Sequence, residues 1–153
     1  MVAQRQGKLT FLRDEKMCEP MLKIRDIMCK KVITAKEDIS IQDAIQLLND
    51  RHVGSIIIVD DEQKCTGIFT ERDAIRIIAH KFSTDQPLSK IMSRHVVTVT
   101  LEASFDEAKR LMLSHRIRHL PVTDRTGKLI GLFSLRAFFD EILGIKTPVP
   151  SAT

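Results

Sequence analysis

The sequence predicts an α/β (α+β) fold in which two β-α-β-β-α repeats pack as a pseudo-twofold pair. Three observations predict it: short apolar runs typical of buried strands, amphipathic helical patterns between them, and an ungapped internal repeat at an offset of 64 residues. The chain has 153 residues and is 43% hydrophobic, so it can bury a core. Each half alone would bury too little surface, and we therefore expect the halves to pack on each other.

In the first repeat, apolar spacing changes between the period of a helix and that of a strand. A short amphipathic turn comes first, and Asp38 or Ser40 is expected to cap the first long helix. Two buried strands follow, joined by a polar turn at residues 60–64. In order, the predicted elements are the turn 24–28, the strand 32–34, the helix through Ile41 and Leu48, the strands 56–59 and 67–69, and the helix through Ile75 and Ile78.

The stretch Gly67-Ile68-Phe69-Thr70-Glu71-Arg72-Asp73 passes directly from a strand into a helix. Thr70 and Asp73 have the spacing of a capping box, with Asp in place of Glu or Gln. A hydroxyl, a cation and a carboxylate meet there at the positive end of a helix, where anions bind. Two interpretations remain open: a ligand site, or a helix cap with Arg72 solvated.

The second repeat follows the first without a gap. Positions 24–79 align with 88–143, so Thr34 corresponds to Thr98, Gly67 to Gly131 and Thr70 to Ser134. The predicted organisation is an N-terminal arm at 1–22, repeats at 23–80 and 88–144, a linker at 81–87 and a flexible tail at 145–153.

Composition argues against several functional classes. Net charge is +4, but the cations are scattered and aromatic residues make up only 5%, so a nucleic-acid interface is not favoured. The three cysteines and five histidines have no metal-ligand spacing, and the odd cysteine count favours reduced thiols. No apolar run approaches the roughly 18 residues of a membrane span. No catalytic motif accompanies Asp73 and His119. These patterns predict a cytoplasmic protein without metal or enzymatic activity.

The repeated unit resembles the tandem cystathionine-β-synthase (CBS) domain pair, or Bateman module. The resemblance rests on the Ile-Met turn before Val-x-Thr, the Ser-x-x-x-Ala helix start, Gly-Ile-Phe-Thr-Glu-Arg-Asp, and Arg118 to Val122 in the second repeat. It implies a non-catalytic regulatory module with two clefts between the repeats. Such pairs often bind AMP, ADP, ATP, NAD or S-adenosylmethionine, commonly form homodimers, and signal to a regulated protein, here unknown.

The resemblance also implies which residues line each cleft. One cleft would take a ribose-binding carboxylate from the first repeat, with base and phosphate contacts from the second. Its expected residues are Thr70, Arg72, Asp73, Thr98, Arg118, His119, Leu120 and Pro121. Leu120 and Pro121 would form a wall for the purine, while the two arginines and His119 would carry charge for a phosphate. A pairing of Arg118 with His119 that touches no ligand stays open, and Arg116 is expected to be solvated.

The other cleft departs from this pattern because Ala137 replaces the carboxylate. Weak binding or none is expected there. Its candidate residues are Thr34, Ser55, Ile57, Ser134 and Arg136. Three functions follow: a sensor of an adenosine nucleotide, with AMP as the first choice; an interaction or scaffold protein without a ligand, which the Ala137 cleft would favour; and a weak nucleic-acid binder.

Overall fold

The computed structural model describes residues 21–145, apart from the side chain of Glu141, so most of the predicted arm and tail lies outside the described residues. The first repeat contains α1 (Ile24–Ile27), β1 (Thr34–Ala35), α2 (Ile41–Arg51), β2 (Ser55–Val59), β3 (Cys65–Thr70) and α3 (Glu71–Ala79). The second contains a 3-10 turn (Leu88–Lys90), α4 (Phe105–His115), β4 (His119–Thr123), β5 (Leu129–Ser134) and α5 (Leu135–Ile142).

Each repeat builds a small sheet around an antiparallel hairpin. In the first, β1 runs parallel to β2, and β2 pairs with β3 so that Ile57 lies between Thr34 and Ile68. In the second, β4 pairs with β5. The strand expected at 96–98 is reduced to one parallel bridge between Val99 and Val122. An edge strand has a partner on one side only, and here only Val99 reaches its neighbour, so the prediction of a full strand is wrong.

Side-chain caps begin the long helices. Ser40, rather than Asp38, accepts from the Asp43 amide at the start of α2, and Ser104 accepts from the Glu107 amide at the start of α4. The predicted capping box of α3 is present between Thr70 and Asp73. Caps of this kind stabilise a helix by about 1 kcal/mol each, and they set where the helices begin next to the sheets.

The two cores are interlocked. The core of the first repeat includes Leu88 and Met92, which belong to the second repeat by sequence. In return, the core of the second repeat includes Ile24 from the first. The turn that opens each repeat thus packs inside the other, and neither repeat completes its core alone.

Backbone pairing between the repeats has the same symmetry. The Cys65 amide donates to the Gly127 carbonyl (3.1 Å), and the Leu129 amide donates to the Gln63 carbonyl (3.0 Å). Away from these turns, Ser93 bridges Ile68 in the same way that Cys29 bridges Leu132. The predicted pseudo-twofold pair is therefore confirmed.

Candidate functional site: a cleft between the repeats

A cleft of about 200 Å³ lies where the strand-to-helix junction of the first repeat faces the second. Three walls enclose it: the start of α3, the segment before Thr98, and the passage from α4 into β4. The lining residues are Gly54, Ile68, Thr70, Glu71, Arg72, Asp73, Ser93, His95, Val96, Val97, Arg116, Ile117, Arg118 and His119.

The first wall is organised by the Asp73 carboxylate. Oδ2 of Asp73 accepts from the Thr70 amide (2.9 Å) and from the Thr70 hydroxyl (2.8 Å). Oδ1 has one long contact, 3.4 Å from an Arg76 guanidinium nitrogen. A carboxylate offers about four acceptor directions, so the cap fixes its orientation and leaves acceptor capacity for a ligand. The capping interpretation is therefore correct, and it is compatible with ligand binding.

The second wall is the turn that joins α4 to β4. Arg116 ends α4 in a left-handed conformation (φ 53°), and Arg118 and His119 follow at the start of the strand. The His119 ring packs against Gly54: a Cβ at position 54 would lie 3.0 Å from Nε2 of His119. Any larger residue would require the ring to shift by a few tenths of an ångström, so glycine favours this close approach between the residue before β2 and the start of β4.

His119 is half-buried, and its pKa is lowered. Burial disfavours the charged imidazole and is the main cause; the Arg118 guanidinium adds to it, while Glu71 offsets part. The imidazole is therefore mostly neutral at pH 7. The lowered pKa favours a neutral hydrogen-bonding group at His119 over a charged one, and the predicted contact of His119 with a phosphate stays a prediction.

The third wall is the segment 93–97. Backbone hydrogen bonds of 3.0 Å in both directions hold Ser93 against Ile68. The wall presents His95, Val96 and Val97 to the cleft. The sequence offered a weak signal for this wall, since these residues directly precede Thr98, but no ligand role was predicted for His95.

Five of the eight predicted residues lie together in the cleft: Thr70, Arg72, Asp73, Arg118 and His119. Thr98 is half-buried next to the third wall and is not among the lining residues. Leu120 and Pro121 are fully buried, with Leu120 in the core of the second repeat. Side chains alternate along a strand, so Leu120 cannot face the cleft when His119 does.

Leu120 therefore does not form the predicted purine wall, whereas Pro121, which alternation places on the same strand face as His119, is buried and not among the lining residues, so its contact with a base stays a prediction. Apolar surface comes instead from Ile68, Val96, Val97 and Ile117. Sequence reasoning missed Gly54 and Arg116 as well. The internal repeat held a signal for Gly54, because its counterpart is Arg118 and a glycine in place of an arginine opens space on one side only.

The cleft carries an excess of positive charge. Arg72 lies beside Glu71 and Asp73 at the start of α3, and Arg116 and Arg118 line the wall formed by the passage from α4 into β4. Among the described side chains of residues 21–145, no carboxylate lies within 4.0 Å of any of these three arginines. Guanidinium groups bind phosphate through paired hydrogen bonds. The arrangement suits an anionic ligand with neighbouring hydroxyls.

The pseudo-symmetric position differs. Ser134 accepts from the Ala137 amide (3.2 Å), so the cap survives without a carboxylate. Ile57 is fully buried, and Thr34 is its exposed strand partner. The Ser55 hydroxyl is buried and makes no hydrogen bond with a described residue. Arg136 is exposed and lies 3.9 Å from Asp140.

The sequence profile of the CBS domain matches residues 24–80 and 88–144. The chain therefore belongs to the CBS domain family. A 17.7 kDa protein of Acidianus ambivalens is 30% identical over 125 residues, which are 82% of this chain and 76% of that protein.

Solved structures agree with this assignment. A conserved protein of Pyrococcus horikoshii has a TM-score of 0.74 and 31% identity, over 80% of this chain and 92% of that one. The CBS domain pair of protein MJ0100 has a TM-score of 0.73 and 27% identity, over 82% and 98%. That structure is a complex with 5′-methylthioadenosine and S-adenosyl-L-methionine.

Several relatives are longer enzymes. A homoserine O-acetyltransferase of Methanosalsum zhilinae and an inosine-5′-monophosphate dehydrogenase of Nitrosopumilus maritimus match over only 22% and 26% of their own lengths. The match therefore spans about a quarter of each of these enzymes. Between residues 21 and 145 of this chain, no helix combines the length and apolar character needed to cross a bilayer.

Proposed function

We propose that this CBS pair is a non-catalytic regulatory module that binds an adenosine nucleotide in the cleft between Asp73 and Arg118. The observation that carries the proposal is the meeting of an oriented carboxylate with three arginines that have no carboxylate partner among the described residues. Asp73 would accept from the ribose hydroxyls, the arginines would bind phosphate, and the apolar wall of Ile68, Val96, Val97 and Ile117 would contact the base. The adenosine ligands of the MJ0100 pair support the ligand class.

Among adenosine compounds, the charge of the cleft favours AMP or a longer nucleotide over S-adenosylmethionine. Three arginines attract phosphate and repel a sulfonium cation. A thermal-shift panel of AMP, ADP, ATP, NAD, S-adenosylmethionine and a short RNA tests the proposal. A ligand at 100 times its dissociation constant should add about 2.7 kcal/mol of stability. No shift with any adenosine compound would favour the scaffold function, and a shift with RNA alone would favour nucleic-acid binding.

Calorimetry with the preferred nucleotide should find one tight site per chain. The second cleft lacks the carboxylate, since Ala137 is the counterpart of Asp73, and Leu135 and Arg118 are the counterparts of Glu71 and Gly54. Ala137→Asp should strengthen this second site without changing the first. Two sites of equal affinity in the natural protein would contradict the asymmetry.

We also expect a homodimer formed through the outer faces of α3 and α5. Ile75 and Ile78 on α3 are 67% and 73% exposed, and Phe139 and Ile142 on α5 are 55% and 61% exposed. Apolar patches of this kind mark protein interfaces. Light scattering at micromolar concentration should give twice the chain mass.

The matched variant is Ile78→Asp. Because Ile78 is exposed, the change should leave the fold intact and give the monomer mass. Dimers that persist in Ile78→Asp would place the interface elsewhere. A monomer peak for the natural protein across a hundredfold dilution would exclude dimerisation in that range.

A further inference from the structure

A second pocket, of about 330 Å³, opens beside α4 and the start of α5. We call it the α4 pocket. Its apolar residues are Met112, Leu113, Ile117 and Leu135, and its basic residues are Lys109, Arg116 and Arg118. Leu113 is 71% exposed, and on the helix surface it lies one turn from Arg110.

The internal repeat provides a comparison for this surface. Both repeats have the same fold, so a residue needed only for folding should have a similar counterpart in the other. Here the counterparts differ in charge and polarity. Lys109, Arg110, Leu113, Arg116, Arg118 and Leu135 correspond to Ile45, Gln46, Asn49, His52, Gly54 and Glu71. Relative to the first repeat, the second therefore has four more cations on this face, two apolar side chains at new positions, one apolar side chain fewer at Lys109 and one acid fewer at Leu135.

The charge of this face is only partly neutralised. Asp106 lies 2.9 Å from Lys109, but in the described part of the chain Arg110, Arg116 and Arg118 have no carboxylate within 4.0 Å. Other acids near this face are Glu107 on α4, Asp140 on α5, which lies against Arg136, and Glu71 and Asp73, which line the nucleotide cleft together with Arg116 and Arg118. A basic rim around an apolar pocket suits a segment with apolar side chains set among carboxylates.

We propose that the α4 pocket is the docking surface for an acidic peptide segment of a partner protein, with a leucine-like side chain anchored in the pocket. A second copy of this chain fits less well, because a twofold contact through this face would bring the arginines of both copies together. The apolar anchor of the peptide would bury its side chain and contribute most of the affinity. The carboxylates of the peptide would determine which partner binds and would make the affinity fall as the salt concentration rises.

The pocket is also continuous with the nucleotide cleft, since Arg116, Ile117 and Arg118 line both. Where the proposed nucleotide function holds, phosphate would draw the two guanidinium groups away from the rim. Nucleotide should then weaken the acidic peptide, and the peptide should weaken the nucleotide by the same factor. Through this reciprocal effect, nucleotide binding would control the binding of the partner protein.

Fluorescence anisotropy with the full chain tests the docking surface without nucleotide. The probe is a labelled peptide with two central leucines flanked by aspartates and glutamates; in the control peptide, asparagines and glutamines replace the acids. Leu113→Asp and Arg110→Glu should each weaken the acidic probe about tenfold or more. The same changes at the counterpart positions, Asn49→Asp and Gln46→Glu, should leave its affinity within about twofold. Neither Leu113 nor Arg110 lines the nucleotide cleft, so nucleotide affinity should not change.

Three results would overturn the proposal. They are no binding of the acidic probe, equal affinity for the neutral control peptide, or an equal loss of probe affinity in the variants of the first repeat and in those of the second. A Leu113→Asp variant that changes the dimer to a monomer would assign the surface to a second copy instead. Titration with AMP separates this proposal from the nucleotide function. If AMP does not bind but the probe does, the docking surface stands and only the coupling is lost.

Discussion

Replacing Asp73 with asparagine is expected to lower the affinity for AMP at least about tenfold while leaving the protein folded. The carboxylate is held by the Thr70 amide and hydroxyl through Oδ2, and Oδ1 has only a long contact with Arg76. Asparagine supports helix starts well, so the cap should lose only about 0–1 kcal/mol. The ribose would instead meet an amide with one acceptor oxygen and no charge. Hydrogen bonds to charged groups are worth about 1.5–3 kcal/mol each, and about 1.4 kcal/mol is a factor of ten.

The decisive measurement is a two-by-two cycle of protein and ligand. On the natural protein, 2′-deoxy-AMP should bind more weakly than AMP, because one hydroxyl is missing. In the Asp73→Asn variant, 2′-deoxy-AMP should bind only slightly more weakly than AMP, because the carboxylate that accepts from the 2′-hydroxyl is already absent. Additive losses would mean that Asp73 and the ribose do not touch.

Ala137→Asn is the matched control for this cycle, since Ala137 occupies the same position in the second repeat. It places the same amide at the start of α5 and should leave AMP binding in the first cleft unchanged. A loss in Ala137→Asn as large as in Asp73→Asn would indicate a general effect on the fold.

Local features of the fold were predictable from the sequence because they depend on neighbouring residues. The capping box at Thr70 and Asp73 follows from a spacing of three residues, and the buried strand at 56–59 follows from a continuous apolar run. The pairing of the halves followed from the repeat. These inferences needed no knowledge of distant contacts, and the structure confirms them.

Features that depend on distant contacts were not predictable. Nothing near Ile24 in the sequence indicates that it packs in the core of the second repeat. The observed lining of the cleft differs from the predicted one for the same reason. His95 and Arg116 line the cleft because of how the two repeats pack, which their neighbours in the sequence do not indicate. The lowered pKa of His119 likewise depends mainly on burial, which the sequence of β4 does not reveal.

Leu88→Ala is expected to destabilise the whole protein by about 2–5 kcal/mol, the usual range for a buried leucine reduced to alanine. Leu88 is fully buried in the core of the first repeat, although it belongs to the second by sequence. Because the total stability of a domain is only about 5–15 kcal/mol, this loss should lower the thermal midpoint strongly. Leu113→Ala, the same chemical change at an exposed leucine, should cost no more than about 0.5 kcal/mol.

The interlocked cores add a sharper expectation, which hydrogen exchange can measure. Ile24 and Leu88 each complete the core of the opposite repeat, so neither sheet can open without exposing the other's core. Leu88→Ala should therefore lower the protection of amides in β2 and in β4 by the same free energy, and Ile24→Ala should do likewise. If the repeats unfold independently, Leu88→Ala will weaken β2 and leave β4 protected. That result would show that the two repeats are separate folding units, each with its own free energy of unfolding, although the opening turn of each packs in the core of the other.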